Sequence, residues 1–353
     1  MDFDLHFSMD YHNKSYGSER LYTDMLDQAI LADRLGYASV SVTEHHLLEL
    51  GVMPAPLTAA VKIAAHTKHV EILTGVVVLP LHDMRTYAGE VIVADIFTNG
   101  RLVLGVGRGA YAFEMERLGV PMAETRERFD ESLAVLQALL SREEVSWDGK
   151  YYKFDALTVM PRPMRPGGPP MMMAVLQPEA IYHCTKRGFN ILTTPLSGDR
   201  KHFHAQVDAF RRGKAELGKA GEKLKLTLSR SATVTRSEAH KREKLAEAQY
   251  HYTRFDNVFT GPGIVDAGMV RSLPRKQTIE ELEKNLLICP PAEMVDRLGP
   301  FAELGIDCVS LNMNFGPSQQ ETMEAIQCIA EEVMPHFAKK PAAPVAEPLA
   351  ATA

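Results

Sequence analysis

Closely spaced cysteines, a surplus of basic residues and long apolar runs are all missing from this chain, and each absence closes off a class of function. Cys184, Cys289, Cys308 and Cys328 stand far apart with no C-x-x-C pair, which points away from a zinc site or a disulfide framework and toward reduced core thiols. The net charge of -6 leaves no electrostatic footprint for DNA, RNA or an anionic membrane, so the expected partner is a small molecule. No segment approaches the roughly 18 consecutive apolar residues of a membrane span. The acidic start MDFDLHFSMDYHNK has no basic region followed by an apolar run, and a soluble, cytoplasmic protein is expected.

The 353 residues, 45% hydrophobic, suffice for one large α/β domain or two ordinary ones, and periodicity decides between them. Short β-branched runs alternate with segments of helical spacing, the pattern of a parallel sheet with crossover helices. FDLHFSM (3–9), SVSVT (39–43), VEILTGVVVLP (70–80), RLVLGVG (101–107), MMMAV (171–175), FNILTTP (189–195), KLTLSRSATV (225–234) and DCVSLNMNF (307–315) read as strands. Between them lie amphipathic stretches such as 124–140, where Phe129, Leu133, Leu136 and Leu140 share one face. Strand and helix repeating in this way predict a single TIM (β/α)8 barrel with insertions over residues 1–337. VSWDGKYYKFDALTVMPRPMRPGGPP reads as a small β insertion. Residues 253–285 read as a long connection without structure of its own, either a mobile active-site lid or a disordered surface loop. Residues 338–353, AKKPAAPVAEPLAATA, form a low-complexity tail expected to be disordered.

In a barrel of this kind chemistry gathers at the C-terminal strand ends. The second strand ends in Glu44, His45 and His46. Adjacent side chains on an extended segment point in opposite directions, so one histidine faces the mouth. Acid–base work, packing and metal ligation all fit the pair, although no H-x-H pair or H-E-x-x-H helix supports a metal. Glu44 fits a histidine or an arginine partner. Thr74 and Gly75 interrupt the third strand. GVGRGA (105–110) has the letters of a dinucleotide fingerprint, but no helix opens on its glycines and no acid-terminated strand follows. What remains is a glycine-lined strand end at Gly107, permissive to a planar ring, with Arg108 placed for a phosphate or for a barrel carboxylate. QPEA (177–180) starts a helix with proline, an ordinary turn or an anion site at the free N–H groups.

Taken together, TEHHLLELGVMPAPLTAA, ILTGVVVLP, GRLVLGVGRGAYAFEMERLGV, RERFDESL and WDGKYYKF resemble the bacterial luciferase-like flavin-dependent monooxygenases, in that family's order, over roughly residues 3–337. The resemblance implies a two-component enzyme that takes reduced FMN from a separate flavin reductase and uses O2 to oxygenate a small organic substrate. It assigns His45 as the active-site histidine and Arg108 to the FMN phosphate. It places a cis non-proline peptide between Gly75 and Val76 beneath the flavin ring. Leu176 and Gln177 fall near the phosphate loop, and Glu44, Thr74 and Gly107 complete the expected cofactor contacts. Gly107 stands where bacterial luciferase carries a reactive cysteine, which argues against light emission without excluding oxygenation. The same superfamily holds deazaflavin-dependent hydride-transfer enzymes and non-catalytic flavin-binding subunits, and both stay open as alternatives. A homodimer is expected by resemblance.

Overall fold

The computed structural model describes residues 1–195, 200–275 and 277–338. Its parallel strands are β1 (Asp2–Phe7), β2 (Ser39–Val42), β3 (Glu71–Thr74), β4 (Leu102–Gly107), β5 (Met171–Ala174), β6 (Asn190–Thr193), β7 (Leu226–Val234) and β8 (Cys308–Asn312). Each pairs with the next, and β8 returns to β1 with Asp2 opposite Cys308. The sheet therefore closes, as the alternating pattern predicts. Strands covered on both faces read as continuous apolar runs rather than alternations. All of β2 and all of β4 are buried.

The helices α1 (Ser18–Leu35), α2 (Pro56–Ala64), α3 (Met84–Phe97), α4 (Thr125–Ser141), α5 (Pro178–Lys186), α6 (Arg200–Leu217), α7 (Glu238–Phe259), α8 (Pro291–Glu303) and α9 (Gln319–Cys328) surround it. Local chemistry sets their ends. Gly36, at φ 85°, closes α1 in the left-handed region that glycine adopts freely. Ser318 and Glu321 form a reciprocal capping box at the start of α9. Among the described residues no helix is long and apolar enough to cross a membrane.

The third strand is interrupted at Thr74 and Gly75 as expected: it stops at Thr74, passes through the expected cis peptide between Gly75 and Val76, and resumes as Val77–Val78 beside the end of β4. One segment departs from the sequence reading. Residues 253–285 are not a structureless connection. Helix α7 runs on to Phe259, a hairpin pairs Val265–Asp266 with Met269–Val270, and Ile279–Asn285 is helical. Buried Asn257 organises the turn, since its Nδ2 donates to the carbonyls of Ile264 (2.9 Å) and Arg271 (2.8 Å) while its Oδ1 accepts from the Ile264 N–H. The hairpin at 145–157 forms as expected, Val145–Asp148 against Lys153–Leu157. The tail expected to be disordered lies, from residue 339 on, outside the described residues.

Candidate active site

The site is built upward from a polar floor inside the barrel. Asp4 on β1 is buried and accepts hydrogen bonds from the hydroxyls of Ser39 (2.7 Å), Ser41 (2.7 Å) and Ser310 (2.6 Å). His6 lies two residues along, on the same face, with Nδ1 2.9 Å from the Ser41 oxygen. Burial pushes the His6 pKa down, against the pull of Asp4. The Ser41 proton is committed to Asp4, so the neutral ring donates from Nδ1 and leaves Nε2 as an acceptor. His6 lines a cavity at the C-terminal end of the barrel that also takes in Ser8, Thr43, Ser231 and Asn312.

His45 forms its wall. The ring stacks on Tyr111 with centroids 4.3 Å apart and planes 9° from parallel. Nδ1 lies 3.1 Å from a carboxylate oxygen of buried Glu114, which also accepts from the His46 N–H at 2.7 Å. Gly51 closes the other side: a Cβ there would lie 2.6 Å from His45 Cδ2. The carboxylate fixes the proton on Nδ1 and presents Nε2 to the cavity. His46 turns away and donates from Nε2 to Glu44, as the alternation of an extended segment requires.

Of the residues the sequence assigned, only His45 lines this cavity. Glu44 and Thr74 are buried and do not line it. Glu44 is 1% exposed, and its carboxylate is taken up by His46 (2.9 Å), His82 (2.8 Å) and the Val78 N–H (2.7 Å). It therefore holds the chain just past the cis peptide. Hydrogen bonds from those two histidines outweigh the cost of burial and lower its pKa. Thr74 is fully buried and donates its hydroxyl to the Gly105 carbonyl.

The glycines of β4 likewise serve the chain's own packing. A Cβ on Gly105 would fall on the Thr74 carbonyl oxygen, and one on Gly107 would lie 2.6 Å from Val76 Cγ2. Their absence of a side chain admits the neighbouring strand. Gly75 lies over His6, with an added Cβ 3.7 Å from the ring, so the cis peptide and the cavity floor are in register.

Arg108 follows β4 at the rim, exposed, and pairs with no carboxylate among the described residues. Strand β5 is its neighbour, Val106 opposite Met173, and leads through Leu176 and Gln177 into α5. The Leu176 carbonyl accepts from Gln206 Nε2 (2.7 Å) and His202 Nε2 (3.2 Å). Gln177 is exposed at the N-cap, where its side chain caps nothing. An unpaired guanidinium and a helix start on adjacent strand ends are the donor set an anionic cofactor group needs.

Aromatic side chains of α7, Tyr252 and Phe255, with Leu50 and Leu286, close the cavity above. A buried ionic knot fixes them. Arg254, 1% exposed, donates to Asp10 (2.8 and 2.6 Å) and to Glu49 (3.0 Å), and His251 Nδ1 lies 2.8 Å from Asp10. Burial alone would raise the Asp10 pKa, but hydrogen bonds from His12, His251 and Arg254 outweigh it and hold it well below the usual carboxylate range. Sequence reading missed His6, Tyr111, Glu114 and this knot. The available signal was an ionisable residue inside a buried strand, and an acid inside GAYAFEMERLGV.

Comparison with known proteins agrees with this architecture. The sequence model of the luciferase-like monooxygenases matches residues 1–308. The oxygenase component of a flavin-dependent trigonelline monooxygenase from Acinetobacter baylyi is 28% identical over 355 aligned positions, covering 96% of each chain. An F420-dependent glucose-6-phosphate dehydrogenase from Amycolatopsis mediterranei is 24% identical over 88% of this chain and 93% of its own. The crystal structure of the monooxygenase RslO1 from Streptomyces bottropensis superposes with a TM-score of 0.84 at 23% identity, covering 96% of this chain and all of that one. With the closed barrel and a family match across most of its length, the chain belongs to the luciferase-like monooxygenase family and is a flavin-dependent oxidoreductase.

Proposed function

We propose that this monooxygenase takes reduced FMN from a separate flavin reductase and oxygenates a small organic substrate in the cavity beside His45. The observation that carries the reading is His45 itself, clamped by Tyr111, Gly51 and Glu114 so that one nitrogen faces the cavity. Full-length likeness to the oxygenase component of a flavin-dependent monooxygenase supports it. Bound there, reduced FMN supplies the two electrons with which one oxygen atom of O2 enters the substrate and the other leaves as water.

The chain's own residues do the rest. Arg108 and the start of α5, with Gln177 and the backbone at Leu176, hold the phosphate. Gly75, Val76 and Gly107 support the ring over the barrel floor, while Glu44 and Thr74 fix the strand that carries them. His45 holds or releases a proton at Nε2, and the Glu114 carboxylate stabilises the protonated ring. The aromatic cover from α7 and residues 253–285 excludes water, acting as a lid over the mouth. We further assign a homodimer, joined through the apolar outer face of α3, where Val93, Ile96 and Phe97 are exposed.

Anaerobic titration of the purified protein with reduced FMN, followed by mixing with O2, tests the reading. The expected result is saturable binding and reoxidation slower than that of free flavin. Reoxidation at the free rate counts against it, and binding of the deazaflavin F420 in preference to FMN replaces it with hydride transfer. Arg108→Ala removes a charged hydrogen bond worth about 1.5–3 kcal/mol, so the Kd for FMN should rise about ten- to hundredfold. His45→Ala should keep flavin affinity and lose substrate oxygenation, measured as product formed per flavin oxidised; equal product yield removes its catalytic role.

A further inference from the structure

Arg230, at the midpoint of β7, lines the cavity and has no carboxylate partner among the described residues. His45 has Glu114 and His251 has Asp10. Arg230 is only 8% exposed. Among the described residues its single hydrogen bond is a long one, 3.4 Å from Nη1 to the Thr194 hydroxyl, and its buried Nε donates to nothing. Its guanidinium lies over the Phe301 ring, with 5.7 Å to the centroid. Among the described residues the cavity lining contains no aspartate or glutamate. Asp296 lines the adjoining cavity on the other side of Arg230, yet no ion pair joins the two. Burial pulls the guanidinium pKa down to about 10, with only Tyr252 opposing, so the group is charged at neutral pH.

A buried charge without a counter-charge is costly, and folds hold such groups paired. The planar fork of arginine matches an oxyanion at two points. We propose that Arg230 is the anion-recognition residue of the substrate side of the site, and that the substrate carries a carboxylate or sulfonate which pairs with it. The proposal rests on the reading of this cavity as the substrate side of a flavin site. Arg108 leaves β4 and Arg230 stands on β7, three strands further round the barrel, so the two guanidinia serve different anions.

The full-length protein without flavin is titrated calorimetrically with benzoate, benzenesulfonate and neutral benzamide. The expected result is that at least one anion binds about ten- to hundredfold more tightly than benzamide. Arg230→Met should abolish that preference without lowering Tm, because the substitution deletes an uncompensated charge. If Arg230→Met does not fold, Arg230→Lys decides, since it keeps charge and stem but loses the fork: a weakened anion preference supports the proposal and an unchanged one overturns it. Equal binding of all three probes to the wild type, or an anion preference that survives in Arg230→Met, also overturns it. FMN and riboflavin are titrated in parallel. A preference for FMN that persists in Arg230→Met supports the assignment, whereas its loss makes Arg230 a flavin-phosphate residue and overturns it. A wild type that binds neither flavin refutes the flavin reading alone, because the anion titration is carried out without flavin.

Discussion

His6 and His46 titrate in opposite senses. Burial lowers the His6 pKa, whereas the hydrogen bond to Glu44 raises that of His46. Below a pH of about 6.5 the unfolded chain takes up a proton that folded His6 refuses, so its contribution falls as pH drops from there through the folded pKa. His46 contributes stability that is fully present below about 6.5 and is lost as pH rises through its folded pKa. Replacing His6 by Asn should therefore flatten the fall of Tm as pH drops below about 6.5, by up to about 1.4 kcal/mol per pH unit in the underlying stability. Parallel wild-type and variant curves would show that His6 does not stay neutral. A second consequence concerns Gly107. Cysteine there would place its Cβ 2.6 Å from Val76 Cγ2, an overpacking cost of about 1–3 kcal/mol. Val76→Ala in the same chain should recover most of that loss in denaturant unfolding, and a Gly107→Cys protein as stable as wild type would mean that the strand yields. The strand pattern placed His45 shortly past β2 and Arg108 directly after β4, while their roles came only from the family resemblance. Glu114 was not legible, because its partner stands 69 residues away and only the closed barrel brings them together.

Strand and helix boundaries came through wherever an apolar period ran uninterrupted. They failed where a polar side chain replaced the period as the organising force. Asn257 is the clearest case: its amide supplies the bonds that a regular ladder would otherwise provide, and nothing in TGPGIVDAGMVRS advertises this except the turn residues Ala267 and Gly268, both at positive φ. The hairpin they form is tied to the β2–α2 connection by Glu49, whose carboxylate accepts from the Val270 N–H (2.8 Å) and from Arg254, while its own N–H donates to the Gly268 carbonyl (2.8 Å). Truncation to Ala leaves Arg254 with Asp10 alone and breaks a buried pair, at a cost of about 3–5 kcal/mol. Hydrogen exchange in peptides covering 264–272 should then accelerate more than exchange in β4. Uniform acceleration across the chain would mean that Glu49 supports the barrel as a whole and does not govern the cover of the cavity separately.

A closed barrel has no free edge in its main sheet, so contacts between copies through the barrel body use its helices or loops. Closure is complete here: β1 takes β2 on one side and β8 on the other, and the amino group of Met1 donates to the Phe337 carbonyl at 2.9 Å, drawing the ends of the described chain together. What the closed body leaves uncovered is an apolar strip on α3. Phe97 is 62% exposed, Val93 and Ile96 lie beside it on the same helix, and Met160 and Met164 are exposed next to Gly89 and Gly100 at its flank. Leaving such side chains in water forgoes about 25 cal/mol for each Å² that a partner would cover. In the proposed homodimer this strip would meet its own copy about a two-fold axis, the commonest way for identical chains to associate. If the proposed contact forms, Phe97→Glu would place a charge in it twice over, once from each protomer, so the effect on association should be far larger than on folding. Sedimentation equilibrium should show a dimer for the wild type and a monomer for Phe97→Glu, with Tm falling only to the extent that dissociation at the working concentration allows. A wild type that sediments as a monomer at micromolar concentration, or a variant that stays dimeric, would place the contact elsewhere and leave the α3 strip without a role.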